Sequence, residues 1–232
     1  MLAIPSGSVA LVGTSPPYHV GMEYEKKQTW EEFRELIDGF ARGCAHLLKP
    51  GGYAFVNFGS STAHPIATET VYDEAFRAAA LKLQARRIWR KPTALVGSPF
   101  YTTTGPWPIA EFENLWAWFK PPAAHKRRHY SRSVLAVWDT TGYPNLKGVH
   151  CSEYPEVLPW WAMQVYADPG DIICDPFAGS GTTARAAVKF GSPCILIERE
   201  ERYCELAARS LGDLERQLET GTANLFNQEP AR

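Results

Sequence analysis

Two apolar rhythms alternate along the chain: short continuous runs, and stripes that recur every three or four residues. Ser8–Gly13 (SVALVG) is the first short run and predicts a buried strand ending in a Pro-containing turn. Trp30, Phe33, Leu36, Ile37, Phe40, Ala41, Cys44, Leu47 and Leu48 then share one helical face. Thr29 with Glu32 makes a capping box for that helix, and Pro50-Gly51-Gly52 supplies its stop signal. Tyr53–Phe58 (YAFVNF) reads as a strand, and residues 70–85 read as a second amphipathic helix. Arg86–Trp89, Leu115–Phe119 and Val134–Trp138 are short strand candidates between loops rich in Pro, Gly and Thr. Pro155–Tyr166 predicts a short helix with Pro in its first turn. The last third repeats the unit cleanly: strand Asp171–Asp175, glycine-rich turn, helix Thr182–Phe190, strand Cys194–Glu198, and a helix from about Glu201 to Thr220. Strands joined by helices specify an α/β fold, a Rossmann-like, doubly wound and mostly parallel sheet.

A length of 232 residues favours one domain with an insertion over two domains. Hydrophobic residues make up 45% of the chain, which supports a substantial core and excludes disorder. No apolar stretch approaches the ~18 residues of a membrane span. The N-terminal MLAIPSGSVALVG lacks the basic start and clean apolar run of a signal peptide. Cys44, Cys151, Cys174, Cys194 and Cys204 are odd in number and scattered, so reduced thiols in a cytoplasmic protein are expected rather than a disulfide framework or zinc knuckle. His19, His46 and His64 show no metal-ligand spacing. Net charge is only −1, yet residues 77–132 carry eleven Lys or Arg against Glu111 and Glu113, a local +9 that leaves −10 elsewhere. A nucleic-acid-binding face and a solvated basic surface both fit such a span. Trp107, Trp116 and Trp118 read as core or strand-face aromatics rather than base-stacking platforms.

Two turns carry candidate chemistry. Asp175-Pro176-Phe177-Ala178-Gly179-Ser180-Gly181-Thr182-Thr183 sits between an apolar strand and an Ala-rich helix. Its glycines permit positive φ and close approach of a ligand to the backbone, and the helix start offers free N–H groups. Glu198 ends the next strand, near the spacing at which an acid takes ribose hydroxyls. No Lys follows the glycines, which excludes a P-loop, and Ala184 replaces the third glycine of a dinucleotide fingerprint. An aspartate opening the turn repels a diphosphate but accepts from an ammonium, which fits S-adenosylmethionine better than a dinucleotide. The second turn, Ser15-Pro16-Pro17-Tyr18, follows the first strand at its carboxyl end. Two prolines remove donors and stiffen the chain, leaving acceptors beside an aromatic face. Such an array suits a planar base with an exocyclic amine: acceptors aim the amine and Tyr18 stacks on the ring. A Pro-rich turn without chemistry fits the same four residues.

TSPPY at 14–18, LKPGG at 48–52, IWRKP at 88–92, HCSEYPEVLP at 150–159 and DPFAGSGTT at 175–183 resemble the exocyclic-amino DNA methyltransferases of restriction–modification systems. The order, catalytic motif first and cofactor motif last, is similar to their permuted beta class. The resemblance implies a base pocket of Ser15, Pro16, Pro17 and Tyr18, and S-adenosylmethionine on Asp175 to Thr183 and Glu198. It also implies that the strip His150–Pro155, with Ser152 and Tyr154, covers the methionine end of the cofactor. Cys151 and Ser152 depart there from the usual His-Pro-Ala-x-Phe-Pro. Ser15 in place of Asp is the version more typical of cytosine N4 enzymes, which makes N4 of a flipped cytosine the expected target and adenine N6 the alternative. Cytosine C5 chemistry is not expected, because Cys194 begins an apolar strand and no Glu-Asn-Val is present.

The resemblance also assigns regions within one methyltransferase domain spanning 1–232. The catalytic half is expected at about 8–91, a short target-recognition element at about 92–149, and the cofactor half at about 150–220. Lys126, Arg127, Arg128 and Arg132, with Arg90 and Lys91, are the expected contacts to double-stranded DNA. A homodimer and a cognate restriction endonuclease are the further partners such enzymes imply. A non-catalytic DNA-binding subunit with this fold is the competing reading outside the enzymes. Retained Gly179, Gly181, Glu198 and Tyr18 argue against it.

Overall fold

The computed structural model describes residues 1–19, 28–59, 65–91, 112–122, 136–140 and 154–222. Among the described residues, seven strands and five helices follow in the order β1 (Val9–Thr14), α1 (Trp30–Leu47), β2 (Leu48–Phe58), α2 (Pro65–Ala78), β3 (Lys82–Arg90), β4 (Phe112–Phe119), β5 (Val137–Asp139), α3 (Val157–Tyr166), β6 (Ile173–Asp175), α4 (Thr182–Phe190), β7 (Cys194–Leu196) and α5 (Glu201–Glu219). The strands form one sheet in the order β5-β3-β4-β2-β1-β6-β7. β1 pairs in parallel with β2 and β6, β6 with β7, and β3 with β5, while β4 runs antiparallel between β2 and β3. The expected doubly wound, mostly parallel sheet is therefore present, with one reversed strand.

Local sequence explains most element boundaries. The capping box forms as read: Glu32 N donates to Thr29 Oγ1 at 3.1 Å and Thr29 N donates to Glu32 Oε2 at 2.8 Å. α1 ends at Leu47, but the Pro50-Gly51-Gly52 stop signal lies inside β2 rather than in a loop. Gly52 is needed there because a Cβ would stand 2.9 Å from the Ala10 carbonyl of β1. The helix read at 70–85 instead spans Pro65–Ala78, and its last predicted turn belongs to β3. Pro65 supplies an N-terminal signal outside the apolar stripe. At the other end Ala80 takes φ 59°, which breaks the helix before β3 pairs along β4.

Both faces of the sheet are covered, so the central strands are buried on each side. One core gathers Phe33, Ile37, Phe40, Tyr72 and Phe76 from α1 and α2 against Val12, Val56, Trp116 and Trp118. The other gathers Leu158, Trp161, Met163, Ala186 and Ala187 from α3 and α4 against Leu11, Phe55 and Leu115. Each fully buried large apolar side chain contributes about 1.5–3 kcal/mol, so Trp116 and Trp118 act as core residues, as their strand position implied. Trp107 lies outside the described residues.

The topology fixes where ligands sit. β1 is followed by a crossover to β2 on one side, and β6 joins its other side, so the winding reverses between β1 and β6. Open α/β sheets bind ligands outside the carboxyl ends of strands at such a reversal. Val12 is in register with Cys174, which brings Thr14-Ser15 and Asp175-Pro176 side by side at that edge.

Candidate functional site

β6 ends on Asp175, whose side chain is buried between the two turns. Thr14 Oγ1 donates to its Oδ1 at 2.5 Å, Thr183 Oγ1 donates to Oδ2, and Phe177 N donates to Oδ1 at 3.0 Å. Tyr154 Oη lies 2.6 Å from Thr183 Oγ1, extending the chain of hydroxyls. Burial pushes the Asp175 carboxyl up to about 6, against the opposing pull of the Thr14, Thr183 and Phe177 hydrogen bonds; the charge on Glu198 adds to the rise. Burial, and then the nearby Asp175 charge, likewise push the Tyr154 phenol well above its ordinary range. Asp175 was expected to accept from a cationic ligand directly. In this structure both of its oxygens instead tie the end of β1 to the start of α4.

Glu198 follows β7 and closes the glycine-rich turn. Gly179 N donates to its Oε2 at 2.8 Å, while Arg199 N and Glu200 N donate to Oε1 at 2.8 and 2.9 Å. Gly179 and Gly181 take φ 50° and 87°, the left-handed region that favours glycine. Only part of that preference serves ligand approach. A Cβ on Gly181 would stand 3.0 Å from Ala207 Cβ, so this glycine also lets α5 pack against the turn. Within the turn only Phe177 and Gly179 are half-buried and the rest is buried, so these two residues, with Glu198 and the start of α4 at Thr182, form the surface that a polar ligand would meet.

The Ser15–Tyr18 turn draws together side chains from several elements beside the switch point. Ser15 Oγ and Tyr18 Oη are hydrogen-bonded, and both stand 3.4 Å from Asn57 Oδ1 at the end of β2. Tyr72 Oη donates to the Pro17 carbonyl at 3.3 Å, fixing the proline pair from α2. The Tyr18 ring lies over Gly59, where a Cβ would approach Cδ2 to 3.0 Å. Tyr18 Oη is also 3.4 Å from Glu113 Oε2 on β4. Asn57 and Glu113 were not singled out by the sequence. The available signals were a lone amide in the apolar run YAFVNF and one of two acids in an otherwise basic span.

The basic residues divide sharply. Arg87 is buried, lies over the Trp138 and Tyr166 rings and donates to Tyr166 Oη. Lys120 donates to the Ala45 and Leu48 carbonyls at 2.6 and 2.8 Å. Lys91 is an expected DNA contact, but its side chain is only 11% exposed and its Nζ stands 2.6 Å from Glu113 Oε1. Arg90 remains 66% exposed, 3.6 Å from Asp139. Lys126, Arg127, Arg128, Arg132 and Ser152 lie outside the described residues. His19 and His46 hydrogen-bond to the Gln28 and Ile4 carbonyls; His64 lies outside the described residues. Among the described residues no cluster of His, Cys, Asp and Glu could hold a metal, and no helix is long and apolar enough to cross a membrane.

Comparison with known proteins gives this geometry a family. A family model described as DNA methylase matches residues 9–209. The type II methyltransferase M.BglI of Bacillus subtilis is 25% identical over 284 residues, covering 90% of this chain and 81% of that protein. M.HinfI of Haemophilus influenzae is 25% identical over 91% of this chain, which spans 65% of its length. Among solved structures, the cytosine-N4-specific PvuII DNA methyltransferase superposes with a TM-score of 0.73 at 20% identity, covering 95% of this chain and 89% of that one. A putative DNA modification methylase of Thermus thermophilus complexed with S-adenosyl-L-methionine gives 0.69 at 24% identity, with 91% and 88% covered. With the matched model spanning both turns, the chain belongs to the N6/N4 DNA methylase family, whose methyl donor is S-adenosylmethionine.

Proposed function

We propose that the chain methylates the exocyclic N4 amine of a cytosine flipped out of duplex DNA. The observation that carries this reading is the Thr14–Asp175 hydrogen bond, which sets the Ser15–Tyr18 turn against the glycine-rich turn across the β1/β6 reversal. Bound S-adenosylmethionine supplies an electrophilic methyl group on a sulfonium. Gly179 to Thr183 and Glu198 hold its nucleoside end, Glu198 exchanging backbone partners for ribose hydroxyls, while Tyr154 and Ser152 line the methionine side. Ser15 accepts from the target amine, Pro16 and Pro17 hold that acceptor rigid, and Tyr18 stacks on the base to help recover the few kcal/mol that flipping costs.

Serine rather than aspartate at position 15 supports cytosine as the version more typical of the cytosine N4 enzymes that the chain resembles. A neutral hydroxyl accepts from the amine without placing a bare carboxylate against the adjacent ring nitrogen, a gain that cytosine N3 and adenine N1 share to different degrees. The PvuII neighbour is described as cytosine-N4-specific, which supports the same choice. Residues 92–149 serve as the recognition element, with Lys126, Arg127, Arg128 and Arg132 on phosphates and base edges, joined by exposed Arg90. Kinship with type II methyltransferases supports a cognate restriction endonuclease, and the short recognition element supports a homodimer on DNA. The test is the identity of the modified nucleoside in DNA treated with the purified protein. N4-methylcytosine is expected; N6-methyladenine alone gives the adenine reading, and no modification gives the non-catalytic one.

A further inference from the structure

Ser15 Oγ and Tyr18 Oη share a hydrogen bond in which either oxygen can donate. That ambiguity matters, because the function proposed above needs Ser15 as an acceptor toward an amine. If Tyr18 donates to Ser15, one serine lone pair is spent on the phenol and the serine proton turns either to Asn57 Oδ1 at 3.4 Å or into the pocket against the amine. If Ser15 donates to Tyr18, its lone pairs face the pocket. Something must set the direction of this two-hydroxyl chain.

Glu113 stands at its far end. Its Oε2 is 3.4 Å from Tyr18 Oη, while its Oε1 is held by Lys91 Nζ at 2.6 Å, and both charged side chains are 11% exposed. Lys91 lies two residues beyond Trp89 on β3, and Glu113 is in register with Trp89 on β4, so the ion pair is set by the sheet. Asn57 lies alongside: its Nδ2 donates to the Asn114 carbonyl at 3.3 Å, which turns Oδ1 toward both hydroxyls. An ionised carboxylate can only accept. Glu113 Oε2 and Asn57 Oδ1 thus offer the Tyr18 proton acceptors away from Ser15, and a Tyr18 that donates to either of them leaves its oxygen to accept from Ser15.

We propose that Glu113, held by Lys91, is a positioning residue that fixes the proton direction of the Tyr18–Ser15 pair and so makes Ser15 Oγ the acceptor for the target amine. The carboxylate that this pocket lacks at position 15 is thereby supplied from β4, one hydroxyl removed and neutralised by a lysine. Substrate selection follows from this arrangement, since a pocket whose inner oxygen accepts favours an amine over a carbonyl at the reacting position. The inference rests on the base-pocket reading of Ser15–Tyr18.

The test compares wild type, Glu113→Gln, Tyr18→Phe and the double variant for methyl transfer to duplex DNA and for S-adenosylmethionine affinity by calorimetry. Glutamine can donate to Tyr18 Oη and reverse the chain. Glu113→Gln is expected to lower kcat roughly ten- to hundredfold, the worth of a hydrogen bond to a charged group. Cofactor Kd and KM should stay within about twofold. In the Tyr18→Phe background, where the relay is already cut, Glu113→Gln should add no further loss. Turnover within about twofold of wild type for Glu113→Gln, multiplied losses in the double variant, or loss of cofactor affinity with turnover would each overturn the proposal. Wild-type protein that binds the cofactor but methylates no DNA would overturn the proposed function and this inference together. Normal wild-type turnover with an unaffected Glu113→Gln would overturn this inference alone.

Discussion

The turns after β6 and β1 lie side by side, yet they are held by different means. After β6, backbone N–H groups of Phe177 and Gly179 close on Asp175 and Glu198 at 2.8 to 3.0 Å, with partners 2 and 19 residues away. After β1, prolines remove the backbone donors, and Ser15 and Tyr18 reach Asn57 and Glu113 at 3.4 Å across 39 to 95 residues. The proposed cofactor cradle is thus built on short-range backbone contacts. The proposed base pocket is a long-range assembly of side chains from the turn after β1 and from β2 and β4. Asp175 links the two, because Thr14 and Thr183 donate to opposite oxygens of one carboxylate.

That contrast can be broken at the base pocket first. Tyr18→Ala removes both the stacking face and the hydroxyl contacts, and base–aromatic stacking alone is worth about 1–3 kcal/mol. Methyl transfer is expected to fall by about a hundredfold or more while cofactor affinity stays within about twofold. Lost affinity in calorimetry would show that the two turns are one unit.

Asp175 sharpens the link through pH. Its carboxyl sits at about 6 in the folded chain against 3.8 for the ordinary group, so the native state holds the proton more tightly than the unfolded chain does. The stability from this tighter proton is present in full below about pH 4 and is lost as pH rises through about 6, a change on the order of 3 kcal/mol. Asp175→Asn lacks that dependence. Denaturant unfolding of the two proteins at several pH values should show the Asn variant gaining on wild type from pH 4 to pH 7, and a constant difference would sink the assignment.

Glu198→Ala probes the cradle alone. Lost hydrogen bonds to a charged group cost about 1.5–3 kcal/mol, so the cofactor dissociation constant should rise roughly tenfold or more. An unchanged constant in a folded variant would remove Glu198 from the ribose.

The same contrast explains what the sequence revealed. The glycine turn, Glu198 and the α1 capping box are local patterns in which each residue's partner sits within one β-α-β unit, so spacing alone exposed them. The placement of Ser15–Tyr18 at a strand end was legible for the same reason. Asn57, Glu113 and the true partner of Lys91 were not, because strand register brings them together and no local period encodes register across β2, β3 and β4. Lys91 reads as a DNA contact because charge counting cannot see an ion pair to the neighbouring strand. The α2 boundaries slipped because an apolar stripe runs on into β3, whose alternation becomes visible only once β4 lies beside it.

The central claim is that these two turns meet to methylate a cytosine amine. Duplex DNA incubated with the purified protein and S-adenosylmethionine carrying an isotopically labelled methyl group, then digested to nucleosides and weighed, tests it most directly. Label is expected in N4-methylcytosine. Label found only in N6-methyladenine, or in no nucleoside while the protein binds the cofactor, would contradict it.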